Sequence, residues 1–558
     1  MALIRINILT MRNLLLVLMA MLCFATAAVS QRTIQPRPKL VVGIVVDQMR
    51  YDFLYRYQRH YGQGGFNRLL RDGFSCENTS FNYVPTYTGP GHAAIYTGTT
   101  PAVNGIIGND WFDPEWDAKR YCTADKRYKL VGGTAKSRPE TGQHSPASLI
   151  SSTITDELRL SNNFRSKVAS VCLKDRGAIL PAGHIPNACY WFDDASGNWI
   201  TSSYYPDSVG LPQWVREYNA RRWPDTFLNK TWELGHAPTE SFADWTYVGK
   251  YGSLTGGFPH DFAAARASGN YSVLRYTPYG NTMVTNFAMR TMDAMQLGED
   301  DDTDFLCISY SATDYCAHQF GIHAEETEDM YVRMDKELTR LLDYMDRKYG
   351  KNNVLVFLTA DHGGAETPVH LNKLRIPAGV FPESVLEDML ETSLASQFGA
   401  ANFIKAVENQ QIWLNWGAIM DLNQSPEDVA HAITDQLRSM PGVYDALLRQ
   451  ELDLLPAEYP FVGHIRRGIH PRRSGHILYL LDPAWHADDK YFGKGGTTHG
   501  SQYPYDTHVP LIWHGWRIPA GVSYKPVNIT DIAPTLAAIL RIMEPNGTTG
   551  KVIEELMR

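Results

Sequence analysis

Four apolar runs along the chain end abruptly at or near charged residues. Leu40-Val41-Val42-Gly43-Ile44-Val45-Val46 runs into Asp47, and Lys167-Val168-Ala169-Ser170-Val171-Cys172-Leu173 into Lys174. Phe305-Leu306-Cys307-Ile308-Ser309-Tyr310 leads to Asp314, and Val354-Leu355-Val356-Phe357-Leu358-Thr359-Ala360 into Asp361. Short continuous runs of this kind predict strands buried on both faces, as in a sheet covered by helices. Between the third and fourth runs, Met330, Met334, Leu338, Leu341, Leu342 and Met345 fall on one side of a helical period, which predicts a helix from Glu325 to Tyr349, before Gly350. Alternation of strand and helix predicts an α/β fold with a mostly parallel central sheet flanked by helices.

The pattern has a chemical consequence. Open α/β sheets bind ligands beyond the carboxyl ends of their strands. Asp47, Lys174, Asp314 and Asp361 would therefore meet along one edge of one sheet. Two stretches break the alternation. Residues 178–300 are rich in Trp, Tyr, Gly and Pro, and residues 365–490 include a helical segment near Pro426–Met440. Both are read as insertions, or caps, on one catalytic domain covering 36–558.

The N-terminus reads as a targeting segment. Arg12 precedes the apolar run Leu14–Ala28, and Ala28-Val29-Ser30 supplies small residues for cleavage, so residues 1–30 are expected to be a signal peptide. No later run is long enough to span a bilayer, so no stable membrane insertion is expected after cleavage. Export makes disulfides permissible among Cys76, Cys122, Cys172, Cys189, Cys307 and Cys316, with buried thiols as the alternative. With 52 basic and 60 acidic residues the net charge is −8, which argues against general nucleic-acid binding. A small anionic substrate is still compatible, because bound metal reverses the local sign.

The chemistry-bearing residues are three Asp and three His. Asp361-His362 precedes two glycines, Asp314 and His318 stand four residues apart, Asp47 closes the first run, and His499 lies in Gly495-Gly496-Thr497-Thr498-His499-Gly500. Six such groups suffice for two metals with three protein ligands each, which is how catalytic zinc sites keep a position open. Thr88 lies in Pro85-Thr86-Tyr87-Thr88-Gly89-Pro90-Gly91-His92, expected to be a tight turn leading into 93–96. A threonine hydroxyl is a poor nucleophile until a base or a metal activates it.

Asp47, the Thr88-Gly-Pro-Gly-His92 motif, Gly105-Ile106-Ile107-Gly108-Asn109, Asp314 with His318, Asp361-His362 and His499 occur in the order of the alkaline phosphatase superfamily. The chain resembles its nucleotide pyrophosphatase/phosphodiesterase-like branch, and within that the phosphate-irrepressible alkaline phosphatases. The resemblance runs from Asp47 to Asp531-Ile532-Ala533-Pro534-Thr535. It implies an alkaline phosphatase-like fold and two Zn2+ per chain. Asp314, His318 and His499 would hold one ion; Asp47, Asp361 and His362 would hold the other, beside Thr88. Thr88 would be the metal-activated nucleophile that forms a phospho-threonine. Asn109 would donate its amide to a phosphoryl oxygen. Lys174 and Arg176 would contact the non-bridging oxygens of a phosphate monoester; relatives that prefer diesters lack this pair. His92 is read as a structural loop residue, and His323 and His508 as structural. Small phosphate monoesters are the implied substrates, and the periplasm, or secretion, is the implied location. The main rival is a phosphodiesterase or nucleotide pyrophosphatase on the same metals. A sulfatase is disfavoured because no arginine completes a C/S-x-P-x-R motif at Thr88-Gly89-Pro90-Gly91.

Overall fold

Every residue of the strand Leu40–Val46 (β1) is buried. The computed structural model explains why: β1 has a parallel neighbour on each side. The structure describes residues 19, 37–206, 210–237, 252–487 and 495–557. The expected signal peptide lies outside the described residues. Pro38–Arg558 forms one compact unit.

The remaining strands of the main sheet are Phe74–Cys76 (β2), Leu130–Val131 (β3), Val168–Cys172 (β4), Ala188–Asp193 (β5), Asn198–Ser202 (β6), Asp304–Tyr310 (β7), Val354–Thr359 (β8), Leu511–Gly515 (β9) and Gly521–Ser523 (β10). Their spatial order is β10-β2-β9-β8-β1-β7-β4-β5-β6-β3. The middle five, β8-β1-β7-β4-β5, are mutually parallel. Antiparallel partners follow on either side, β9 beside β8 and β6 beside β5. The expected mostly parallel α/β sheet is therefore what forms, and the four apolar runs are adjacent strands at its centre.

The helix Glu325–Tyr349 begins and ends where its periodicity predicts, and all six residues of its predicted apolar side are buried. Glu325, Glu326 and Glu328 occupy its first turn and Arg347 and Lys348 its last, which complements the helix dipole. It packs on the helix Pro278–Ala294, which in turn covers β7.

The stretch 178–300 is not wholly an insertion. β5 extends the parallel set and β6 pairs with it, burying Tyr190, Trp191, Phe192 and Trp199. Aromatic-rich composition concealed two strands here, because large rings fill the sheet's edge as well as they fill a cap. Residues 379–487 include a second sheet with a core of its own. Ile404–Glu408, Gln411–Leu414, Ile477–Leu481 and Val443–Leu448 form a four-stranded sheet in that order. The helices Leu386–Phe398 and Pro426–Ser439 share its own core, which includes Leu390, Ile412, Ile433 and Tyr479. All six described cysteines are buried free thiols. No helix among the described residues is long and apolar enough to cross a membrane.

Candidate active site

Parallel neighbours β8, β1, β7 and β4 end on the same side of the sheet, and adjacent strands lie only about 5 Å apart. Their following residues are therefore forced together. Asp47 comes straight after β1, Asp361 and Lys174 two residues beyond β8 and β4, and Asp314 in the helix Ala312–Phe320 after β7. All four are buried. Gln48 turns the chain with φ 61°, and its N–H donates to Asp361 Oδ1 at 3.1 Å.

Three buried carboxylates and one buried ammonium share this space. Lys174 Nζ lies 2.7 Å from Asp47 Oδ2 and 2.6 Å from Asp314 Oδ2. One cation does not neutralise three anions. Burial and the facing carboxylates of Asp314 and Asp361 hold the Asp47 carboxyl above its ordinary range. Burial would lower the Lys174 ammonium, but Asp314 and Asp47 more than offset it, so Lys174 stays charged. Burial would raise Asp314 too, but His318 and Lys174 hold it well below the usual range. Asp47 Oδ1, Asp314 Oδ1 and Asp361 Oδ2 are buried with no hydrogen-bond partner. Unsatisfied buried carboxylate oxygens are costly unless a cation completes them.

The imidazoles are oriented to bind such a cation alongside them. His318 Nδ1 faces the Thr497 carbonyl at 2.7 Å, His362 Nδ1 the Gly363 carbonyl at 2.9 Å and His499 Nδ1 the Thr86 carbonyl at 2.8 Å. Each carbonyl demands an N–H, which fixes the tautomer and leaves Nε2 as a lone-pair donor. Those Nε2 atoms face the carboxylates: His318 is 3.1 Å and His499 3.7 Å from Asp314 Oδ1, and His362 is 3.6 Å from both Asp47 Oδ1 and Asp361 Oδ2. Burial keeps His362 below its ordinary pKa, and burial with His362 and His318 nearby keeps His499 well below. Neutral imidazoles and ionised carboxylates are the forms that bind metal. Two compact donor groups result, Asp47-Asp361-His362 and Asp314-His362-His499. The donor set suits divalent cations. His362 belongs to both groups, its ring stacked 3.5 Å from that of His499, while His318 falls outside both groups with its Nε2 3.1 Å from Asp314 Oδ1.

Thr88 is the first residue of the helix Thr88–Thr97, not part of a turn ahead of it. Proline in the first turn is compatible with helix, and Pro90 loses no helical bond there. The Thr88 hydroxyl lies 3.4 Å from His362 Nε2. Gly91 makes the approach possible: a Cβ there would sit 2.1 Å from the Asp361 carbonyl oxygen. His92 is in the same helix, not a loop. Both its ring nitrogens are engaged, with the Thr88 carbonyl and Ser309 Oγ at 2.9 Å each. His323 meets Arg56 and Glu366, and His508 stacks on Tyr51, so both stand apart from the carboxylates.

Asn109 Oδ1 accepts the Gly89 N–H at 2.8 Å, which leaves the amide nitrogen as the end able to donate to a ligand. Arg176 Nη1 donates to Tyr121 Oη at 3.1 Å, and Tyr121 Oη donates to Asp175 Oδ1 at 3.1 Å. Thr123 also donates to Asp175, at 2.7 Å. Tyr121 and Thr123 escaped the sequence reading because nothing in their spacing distinguishes them, and Asp175 stands between Lys174 and Arg176 with no role legible in the sequence. Asp506 escaped it as well. It accepts from Gly500 N, Ser501 N and Ser501 Oγ, and so braces the loop that carries His499.

The family model for type I phosphodiesterase / nucleotide pyrophosphatase matches residues 41–516. The chain belongs to that family. A protein of Myroides odoratus named calcium-transporting ATPase is 41% identical, with 97% of this chain and 98% of its own covered. Alkaline phosphatase PhoV of Synechococcus elongatus is 40% identical over 96% of this chain and 97% of its own. Alkaline phosphatase PafA of Elizabethkingia meningoseptica is 41% identical over 94% and 95%. The crystal structure of wild-type alkaline phosphatase PafA superimposes with a TM-score of 0.88 at 39% identity, covering 93% of this chain and 99% of that one.

Proposed function

We propose that this protein is an exported, periplasmic or secreted, alkaline phosphatase that hydrolyses small phosphate monoesters through a phospho-threonine at Thr88. The observation that carries the reading is the Thr88 hydroxyl, 3.4 Å from His362 Nε2, beside three buried carboxylate oxygens that lack partners. Similarity to two alkaline phosphatases along nearly their full lengths supports it.

Asp47, Asp361 and His362 would hold one zinc ion, and Asp314, His318 and His499 a second. When bound, two such ions neutralise the carboxylates, make a coordinated hydroxyl or water nucleophilic near neutral pH and stabilise a leaving oxygen. Thr88 Oγ attacks phosphorus, the ester oxygen departs, and water then cleaves the phospho-threonine to release phosphate. The N-terminus of its helix presents positive dipole to the incoming phosphoryl group. The Asn109 amide donates to one phosphoryl oxygen. With cations on Asp47 and Asp314, the Lys174 ammonium is available to a second. Arg176, steadied by Tyr121, supplies a planar fork suited to phosphate oxygens. Charge in the transition state sits mainly on those peripheral oxygens, so fixed cations and donors there lower the barrier most.

The test is a Thr88→Ala variant assayed on p-nitrophenyl phosphate beside the wild type, with bound metal measured in both. Loss of turnover with metal retained, and an acid-stable phosphoryl group trapped on Thr88 in the wild type, is the expected result. Unchanged turnover overturns the reading. A diesterase would instead hydrolyse methyl p-nitrophenyl phosphate faster than the monoester.

A further inference from the structure

Outside the catalytic edge, a second cluster of ligating side chains joins three segments distant in sequence. His60 ends the short 3-10 helix Gln58–His60, Glu328 lies in the first turn of the helix Glu325–Tyr349, and His236 follows Trp232, whose backbone pairs with His260. His60 Nε2 and His236 Nε2 each lie 3.3 Å from Glu328 Oε1. Ligands on a tetrahedral zinc at ~2.0–2.1 Å are separated by about 3.3 Å, the edge of the tetrahedron. The two imidazole rings are tilted, with centroids 4.6 Å apart.

Two further observations point to an ion. Both ring nitrogens of His236 are buried without a hydrogen bond, although carboxylates stand 3.3 and 3.4 Å away. Asp329 faces His236 Nδ1, and is itself held by Trp232 Nε1, Gly235 N and Arg333 Nε at 2.6, 3.0 and 2.6 Å. A carboxylate fixed behind a histidine is the usual support for a metal-bound imidazole.

We infer that His60, His236 and Glu328 form a separate divalent-metal site, of zinc type, that clamps the 232–236 segment and the 58–60 turn onto the start of the long helix. The ion has two competitors. Arg59 Nε donates to His60 Nε2 at 3.2 Å from the exposed side. Burial would lower His236, but Asp329 and Glu328 push it up to about 9, so a proton must leave as metal binds. Three protein ligands leave one position for water, at the part-exposed His60 side.

Zinc per chain, measured on the purified full chain and on His236→Gln and His60→Gln variants, tests this. Each variant is expected to lose one zinc equivalent while monoesterase turnover stays within about twofold of wild type, and the rise in Tm on adding zinc is expected to shrink. A chain carrying Asp314→Asn and Asp361→Asn should still bind one zinc by calorimetric titration. Equal zinc in the wild type and both histidine variants overturns the site, as does a doubly substituted chain that binds none. If His236→Gln fails to fold, His60→Gln and the calorimetric titration decide. A wild type holding a single ion that the histidine variants lose would leave this site standing and refute the two-zinc catalytic centre.

Discussion

Gly91→Ala isolates the contact on which the proposed nucleophile's position depends. The added methyl would lie 2.1 Å from the Asp361 carbonyl oxygen and 2.8 Å from its carbonyl carbon, where ordinary contacts begin at 3.4 Å. Both colliding atoms are backbone, so no side-chain rotation relieves them. The helix start and the end of β8 must separate by roughly 1 Å, and a displacement of that size at a reacting group costs on the order of 100-fold in rate. That corresponds to about 2.7 kcal/mol of transition-state stabilisation. Overpacking also destabilises the fold by ~1–3 kcal/mol. The helix Thr88–Thr97 carries Thr88 itself, whereas among the six proposed metal ligands the clash bears on Asp361 through its backbone, so kcat should fall more than metal content. Steady-state turnover of p-nitrophenyl phosphate, zinc content and urea unfolding would be measured together. A kcat within twofold of wild type, in a folded metal-loaded chain, refutes the claim that this close approach positions Thr88.

The remaining expectations are simpler. Replacing Lys174 and Arg176 together by Ala should depress monoester turnover by ~10²–10⁴-fold and barely change diester turnover, because a monoester dianion carries one more charge to neutralise; equal losses on both substrates would sink the assignment. Removing metal with a chelator should abolish activity and lower Tm, since Asp47, Asp314 and Asp361 then keep buried oxygens without partners; readded zinc at ~100 times its Kd should restore about 2.7 kcal/mol for each site filled. His476, which accepts from Leu414 N and faces Trp416 Nε1, is lowered by burial to about 4. Its unfolded form gains a proton first on acidification, so the stability it contributes is present above pH ~6.5 and lost as pH falls towards 4. Denaturant titrations across that window should show a slope that a His476→Gln variant flattens, and an unchanged slope would count against the assignment.

Much of this architecture was legible in local pattern. β1, β4, β7 and β8 each announce themselves as apolar runs, and the six apolar positions of Glu325–Tyr349 mark both the helix and its buried side. These signals survive in one dimension because strand and helix periods depend only on neighbouring residues. Their parallel order then brings Asp47, Lys174, Asp314 and Asp361 to one edge, so the position of the proposed catalytic centre follows from where the runs stop. What pairs with what was decided by tertiary structure. Aromatic composition hid β5 and β6 until β5 paired with β4 and β6 with β5. Lys174 meets Asp47, 127 residues away, because β1 and β4 flank β7 and end on the same side of the sheet. Gly91 is required only because the end of β8 lies against it. His60, His236 and Glu328 carry no shared spacing at all: three segments converge there through packing, and geometry in three dimensions is the first place their common chemistry appears.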